Sequence, residues 1–93
     1  MIINQYPDEV IRTWRTSRLG CLYMNSYTIA ITQDAEETSQ LARITDILSS
    51  RPRKETAEIY RWINRELSVY SPDPEKKALL TGMKNHFYRN VLD

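Results

Sequence analysis

The single cysteine and the single histidine of the chain are its first candidates for chemistry. Cys21 could act as a nucleophile only if a general base activated its thiol, and His86, far away in the sequence, is the one residue of that type. The neighbours Leu19, Leu22 and Tyr23 give Cys21 an apolar setting with no cationic partner for a thiolate. We therefore expect Cys21 to be buried and unreactive, as a small hydrophobic residue would be.

The acidic residues are placed for structural roles rather than for acid–base catalysis. They lie near the first turn of predicted helices or beside arginines, where they favour the positive helix end or form ion pairs: Glu36, Glu37, Glu55, Glu58, Glu66 and Glu75. The chain has no glycine-rich phosphate loop, no G-x-S-x-G and no H-E-x-x-H motif. One cysteine and one histidine cannot supply a four-ligand metal site. The sequence thus predicts a protein that is not an enzyme and that needs no metal and no cofactor.

Arginine and aromatic residues are the strongest functional signal. The chain has 13 basic residues, six tyrosines and two tryptophans, and Arg, Tyr and Trp dominate the hot spots of protein interfaces. We predict a partner-binding surface formed by Trp14, Arg15, Arg61, Trp62 and Arg65. The alternative for each tryptophan is packing, with Trp14 completing an apolar helix stripe and Trp62 covering the edge of a helix bundle with its indole N–H in water.

A second hypothesis rests on the basic character of residues 47–93. Basic side chains beside aromatic ones can contact phosphates and stack on bases. The candidate nucleic-acid residues are Arg51, Arg53, Lys54, Arg61, Arg65 and Lys84. Glu55, Glu58 and Glu66 interrupt this face, and at helical spacing they are at least equally suited to ion pairs that keep a surface helix solvated. Nucleic-acid binding is therefore the alternative function.

Length and composition limit the class of protein. With 93 residues and a net charge of +1, the chain fits one domain, of which residues 1–33 and 34–93 are two parts. The chain shows neither an apolar run long enough to span a bilayer nor a signal-peptide pattern, and a lone cysteine favours the cytosol. We expect a cytoplasmic protein-binding module that docks on a larger protein as a regulator, adaptor or inhibitor. It could also form a homodimer, and no membrane partner is expected.

Three helices are predicted in the second part of the chain, at residues 34–49, 52–69 and 73–90, and they form an antiparallel bundle. Pro52 separates the first two helices and Pro72–Pro74 the last two. Asp34 with Glu37 and, later, Asp73 are the predicted N-caps. The predicted inward residues are Leu41, Ile44, Ile47, Leu48, Ile59, Ile63, Leu67, Tyr70, Leu79, Leu80, Met83, Phe87 and Val91. Ala78 and Gly82 form a flat patch where another backbone can approach closely.

The first part of the chain is predicted to combine a short helix with a β-hairpin. The helix covers residues 7–18, and Gly20 closes it. The β-branched and alternating segment 27–32 is a predicted strand, paired with 19–24 across Asn25–Ser26 and joined by 2–6 as a third strand. The predicted fold class is therefore α+β, predominantly helical.

Overall fold

The computed structural model describes residues 6–31 and 35–93, and every regular element in these ranges is helical. The helices are α1 (Asp8–Ile11), α2 (Thr16–Ala30), α3 (Ala35–Ser49), α4 (Arg53–Val69) and α5 (Pro74–Phe87), and α5 continues as a π-helical segment (Tyr88–Leu92). The predicted helices at 34–49, 52–69 and 73–90 are confirmed with small shifts at their ends. The α+β fold class is wrong, because the described residues contain no strand.

The helix ends at the prolines follow local chemistry. Pro52 has an extended backbone (φ −55°, ψ 137°) and immediately precedes α4. The Asp73 carboxylate accepts hydrogen bonds from the backbone N–H groups of Glu75 at 3.1 Å and Lys76 at 3.2 Å, and Pro74 takes the first helical position. The predicted Asp34–Glu37 cap and residues 2–5 of the predicted third strand lie outside the described residues.

The predicted hairpin is replaced by α2, which covers residues from both proposed strands. Leu19, Leu22, Tyr23 and Ser26 are spaced by three and four residues, and all four are buried on one face of this helix. The β-branched residues at 28–31 favoured a strand, but strand propensity depends on the surface against which the side chains pack. Here an apolar helical face buried against other helices outweighs that preference.

The predicted helix at 7–18 is divided by a corner. Helix α1 ends at Ile11, Arg15 is extended (φ −64°, ψ 147°), and α2 begins at the next residue. Arg43 of α3 holds α1 in place, because its guanidinium donates to the Asp8 carboxylate at 2.8 Å and to the carbonyl oxygen of Tyr6 at 2.6 Å. Gly20, predicted as the closing residue, lies inside α2 instead.

The helices pack in two pairs, α2 along α3 and α4 along α5, and α2 also contacts α4 and α5. Helix α3 packs mainly on α2 and on the π segment, so the three predicted helices do not form a bundle by themselves. The buried hydrophobic core draws on every helix: Ile11, Leu19, Leu22, Tyr23, Leu41, Ile44, Ile47, Leu48, Ile59, Ile63, Leu80, Met83 and Phe87. Of the residues predicted to face inward, Leu67, Leu79 and Val91 are half-buried, whereas Tyr70 is exposed.

Both glycines lie where another side chain approaches closely. A Cβ atom added at Gly20 would be 2.9 Å from Cγ1 and 3.0 Å from Cδ1 of the buried Ile59, so this glycine allows α2 to pack against α4. At Gly82 the nearest atom is the Tyr27 hydroxyl oxygen, at 2.6 Å. The patch predicted around Gly82 therefore receives a tyrosine side chain rather than a backbone.

We predict that Gly20→Ala lowers the free energy of unfolding by about 1 kcal/mol, although alanine is the better helix former. The gain in helix propensity is about 1 kcal/mol, and overpacking a filled core against Ile59 costs about 1–3 kcal/mol. Gly82→Ala is the matched control, because the half-buried Tyr27 can move its hydroxyl end aside, and it should leave stability unchanged or slightly higher. Urea unfolding measures both, and a larger loss for Gly82→Ala than for Gly20→Ala would contradict this packing.

Candidate functional site

A groove of about 620 Å³ lies between the α1–α2 corner and α4. The corner and the first turn of α2 supply residues 12–17, α4 supplies residues from Glu55 to Arg65, and Arg51 comes from the connection that precedes α4. The lining residues are Arg12, Thr13, Trp14, Arg15, Thr16, Ser17, Arg51, Glu55, Glu58, Ile59, Trp62 and Arg65. Two parts of the sequence that are far apart thus form one concave surface, which we call the indole groove.

The indole groove contains four of the five residues predicted to bind a partner. Trp14 and Arg15 come from the corner, and Trp62 and Arg65 come from α4. The fifth, Arg61, is exposed outside the groove and pairs with the Glu58 carboxylate. The structure therefore brings together the two tryptophans and two of the three predicted arginines.

Trp14 is held between neighbouring side chains at the corner. Its indole is half-buried against the hydrophobic core, and the Tyr6 ring meets it edge to face with 5.3 Å between centroids. The Arg18 guanidinium lies 3.9 Å from the centroid of the Trp14 ring, at cation–π distance. Trp14 therefore packs on the core, which was the alternative to partner binding for this residue, and it also forms a fixed wall of the groove.

Trp62 has a different environment. It is half-buried, but it is not among the described side chains that pack against the hydrophobic core. Its Nε1–H donates to the Glu66 carboxylate at 3.3 Å, one turn further along α4, rather than pointing only to water. Trp62 contributes part of its apolar surface to the lining of the groove.

A chain of hydrogen bonds joins the two sides of the groove. Arg51 donates from Nη1 to the Thr16 hydroxyl at 3.1 Å and from Nη2 to the Arg12 carbonyl oxygen at 2.8 Å. The buried Thr16 hydroxyl donates in turn to the Glu55 carboxylate at 2.5 Å. These bonds fix the corner against the start of α4, and they engage both Arg51 and Glu55.

The other charged groups of the groove divide into paired and unpaired ones. Arg12 lies 3.8 Å from the Asp46 carboxylate, and Glu58 is paired with Arg61. Within residues 6–31 and 35–93, the guanidinium groups of Arg15 and Arg65 make no hydrogen bond or ion pair. The groove therefore presents two free guanidinium groups beside two indole rings.

The alternative nucleic-acid residues are distributed over several surfaces. Only Arg51 and Arg65 line the groove, and Arg51 is already hydrogen-bonded there. The Arg53 guanidinium donates to the carbonyl oxygen of Leu92 in the π segment. Arg61 pairs with Glu58, while Lys54 is exposed on α4 and Lys84 is half-buried on α5.

The prediction that Cys21 is buried is wrong. Because α2 is a helix, Cys21 points away from its buried neighbours Leu22 and Tyr23, and its side chain is exposed. It lines a depression of about 520 Å³ beside the indole groove, together with Arg18 and several groove residues. His86 lies elsewhere, against the buried Tyr23.

Tyr23 and His86 form a polar contact inside the helical core. The Tyr23 hydroxyl lies 2.8 Å from Nδ1 of His86 and 3.3 Å from the carbonyl oxygen of Met83. Burial, with a smaller effect from Tyr27, raises the pKa of Tyr23. Burial and the nearby Arg89 lower the pKa of His86, so the neutral imidazole is favoured in the folded protein.

We expect the protein to lose stability as the pH falls below about 6.5, the ordinary pKa of histidine. The folded state has the lower pKa for His86, so the unfolded chain binds the proton first and is favoured on acidification. The loss should level off below the folded pKa. Urea unfolding at about pH 7.5, 6.5 and 5.5 measures it. His86→Gln should show a flatter dependence, and an equally steep one would assign the effect to other groups.

Sequence reasoning missed the residues that fix the groove. The corner is joined to the start of α4 by the side chains of Thr16 and Glu55 and by the backbone carbonyl oxygen of Arg12. The types of these residues do not indicate that role in the sequence. The helical spacing of Leu19, Leu22 and Tyr23 could have located α2 and hence the corner before it. The groove becomes visible only after that helix is assigned.

No metal centre is formed by the described residues, since they contain no group of three or more His, Cys, Asp or Glu side chains in a suitable arrangement. None of the helices in the described ranges is long and apolar enough to cross a membrane.

In comparisons with known proteins, the chain matches no protein-family model, no curated protein and no solved structure.

Proposed function

We propose that the protein is a non-catalytic binding module that docks on a larger protein as a regulator, adaptor or inhibitor, with the indole groove as its docking surface. One observation carries this proposal: Trp14, Trp62 and the free guanidinium groups of Arg15 and Arg65 line the same groove. Tryptophan and arginine are the residue types that contribute most to interface hot spots. The proposed compartment is the cytosol, because a chain with a single cysteine has no intramolecular disulfide that would favour an oxidising environment.

The two tryptophans support docking in different ways. Tyr6 and Arg18 hold Trp14 in place, so binding a partner costs little side-chain entropy at this position. Trp62 is not among the described side chains that pack on the core, and the exposed part of its half-buried indole is available to a partner. A fixed anchor and an available one together suit a groove that receives a segment of another protein.

Trp62→Ala should weaken binding to the partner by about 30-fold or more, equivalent to about 2 kcal/mol, without unfolding the domain. Tyr88→Ala is the control, because it removes a half-exposed aromatic ring from the π segment, away from the groove. The partner is obtained by affinity capture with wild-type protein, Trp62→Ala and Tyr88→Ala in parallel. Affinities are then measured by titration with the purified partner, and circular dichroism checks that each variant remains helical.

Docking at the groove requires that the same protein be retained by wild type and Tyr88→Ala and be lost with Trp62→Ala. A partner that is retained equally by all three proteins would contradict the proposal. So would tight, steeply salt-dependent binding to a DNA or RNA duplex that Arg61→Ala and Arg65→Ala weaken for every sequence. That second result would establish the nucleic-acid alternative in its place.

A further inference from the structure

We propose that the segment entering the indole groove is an acidic peptide stretch of the partner protein. It carries Asp or Glu side chains that bind Arg15 and Arg65, beside one large apolar side chain that packs between Trp14 and Trp62. This inference rests on the proposed docking function and names the chemistry of its partner. It follows from the charged groups of the groove, because the guanidinium groups of Arg15 and Arg65 make no ion pair or hydrogen bond with the described residues.

Both carboxylates of the groove have a partner within the protein, and arginines outnumber them. The Glu55 carboxylate accepts a hydrogen bond from Thr16, and the Glu58 carboxylate is paired with Arg61. Against these two glutamates the groove is lined by four arginines. The charge that remains for a ligand is therefore positive, and complementary charge selects an acidic partner.

The two unpaired guanidinium groups come from different sides of the site. Arg15 belongs to the α1–α2 corner and Arg65 to α4, the two elements that enclose the groove. A guanidinium group binds a carboxylate through two parallel N–H···O bonds, and this interaction strengthens when water is partly excluded. The apolar surfaces of Trp14, Ile59 and Trp62 lie in the same groove and provide that exclusion.

A peptide suits these groups better than a nucleic-acid backbone does. Binding along a polyphosphate chain uses a series of available cations, whereas Arg51, Arg53 and Arg61 are engaged by groups of the protein itself. A volume of about 620 Å³ accommodates a few side chains of one peptide segment.

The probe for this proposal is a phage-displayed library of random linear peptides, selected on immobilised wild-type protein. We expect the selected peptides to be enriched in Asp and Glu and to share one Trp, Phe or Leu. The best peptide is then synthesised with a fluorophore, and its affinity is measured by anisotropy at low and at high salt. Trp62→Ala tests whether it occupies the groove.

Arg15→Gln and Arg65→Gln should each weaken this peptide by about tenfold at low salt, with a smaller effect at high salt. Lys77→Gln is the matched control, because it removes an exposed positive charge from α5, away from the groove. Arg65→Glu should reverse the preference, so that a version of the peptide with lysine in place of its acidic residues binds better than the original.

The outcomes separate this inference from the docking function. Peptides that require Trp62, show no acidic enrichment and ignore Arg15→Gln and Arg65→Gln would overturn the acidic ligand and leave docking intact. A library that yields no Trp62-dependent peptide would overturn both. A DNA or RNA duplex that displaces the peptide and binds more tightly through Arg15 and Arg65 would also overturn the acidic-peptide proposal.

Discussion

Leu22→Ala should lower the free energy of unfolding by about 2–5 kcal/mol, whereas Ile29→Ala, further along the same helix, should cost less than about 1 kcal/mol. The two substitutions remove side chains of equal size, so burial accounts for the difference. Leu22 is 4% exposed in the core between α2 and its neighbours, and Ile29 is 42% exposed. Removing Leu22 leaves a cavity that the surrounding helices cannot fill completely.

This pair of substitutions distinguishes α2 from a hairpin. In a strand at 27–32, Tyr27, Ile29 and Ile31 would point to the same face, towards the core. Truncation of Ile29 would then cost at least as much as truncation of Leu22. Equilibrium urea unfolding of both variants gives the comparison, with circular dichroism to verify that helix content is retained before denaturation. A larger loss at Ile29 than at Leu22 would be incompatible with the helical register.

The error at α2 arose because two patterns adjoin within residues 19–32. The segment 27–32 alternates large and small side chains with β-branched residues, which indicates a strand, and Leu19, Leu22, Tyr23 and Ser26 follow the helical spacing of three and four. Local propensity cannot choose between them. Packing decides the outcome, because Gly20 lets α4 approach and the helical face buries Leu19, Leu22 and Tyr23 together.

The helices from α3 onward were predictable because their limits are set by local chemistry. Proline at 52 and 74 and the Asp73 cap act within a few residues of the helix ends. The inward positions Ile44, Ile47 and Ile63 follow from spacing alone, and all three are buried. How these helices pair was not predictable in the same way, since α2 was missing from the expected arrangement.

The candidate site was predictable in composition but not in geometry. Residue types identified Trp14, Arg15, Trp62 and Arg65. Nothing in the spacing shows that the first two residues lie close to the last two in the folded protein. Their meeting depends on the corner at residues 12–15, and α2 begins there without any side-chain cap hydrogen bond. Arg51 then ties that corner to α4 through contacts between residues far apart in the sequence, which only the folded structure reveals.

Phe87→Ala should be among the most destabilising single substitutions, with a loss of about 3–5 kcal/mol and a fall in Tm of more than about 10 °C. Its ring is fully buried and meets Tyr23 edge to face with 5.0 Å between centroids. Phe87 is also the last residue of α5, and the π segment that follows packs on α3 and α4. Removing the ring therefore weakens the core and the attachment of that segment.

Tyr88→Ala is the neighbouring control. Tyr88 is 50% exposed and has one aromatic neighbour, the ring of Tyr60 at 5.9 Å, among the described residues, so its truncation should cost less than about 1 kcal/mol. Differential scanning calorimetry of the two variants measures the difference. If Phe87→Ala were tolerated as well as Tyr88→Ala, the core would have to end at Met83, and the contacts of the π segment with α3 and α4 would contribute nothing to stability.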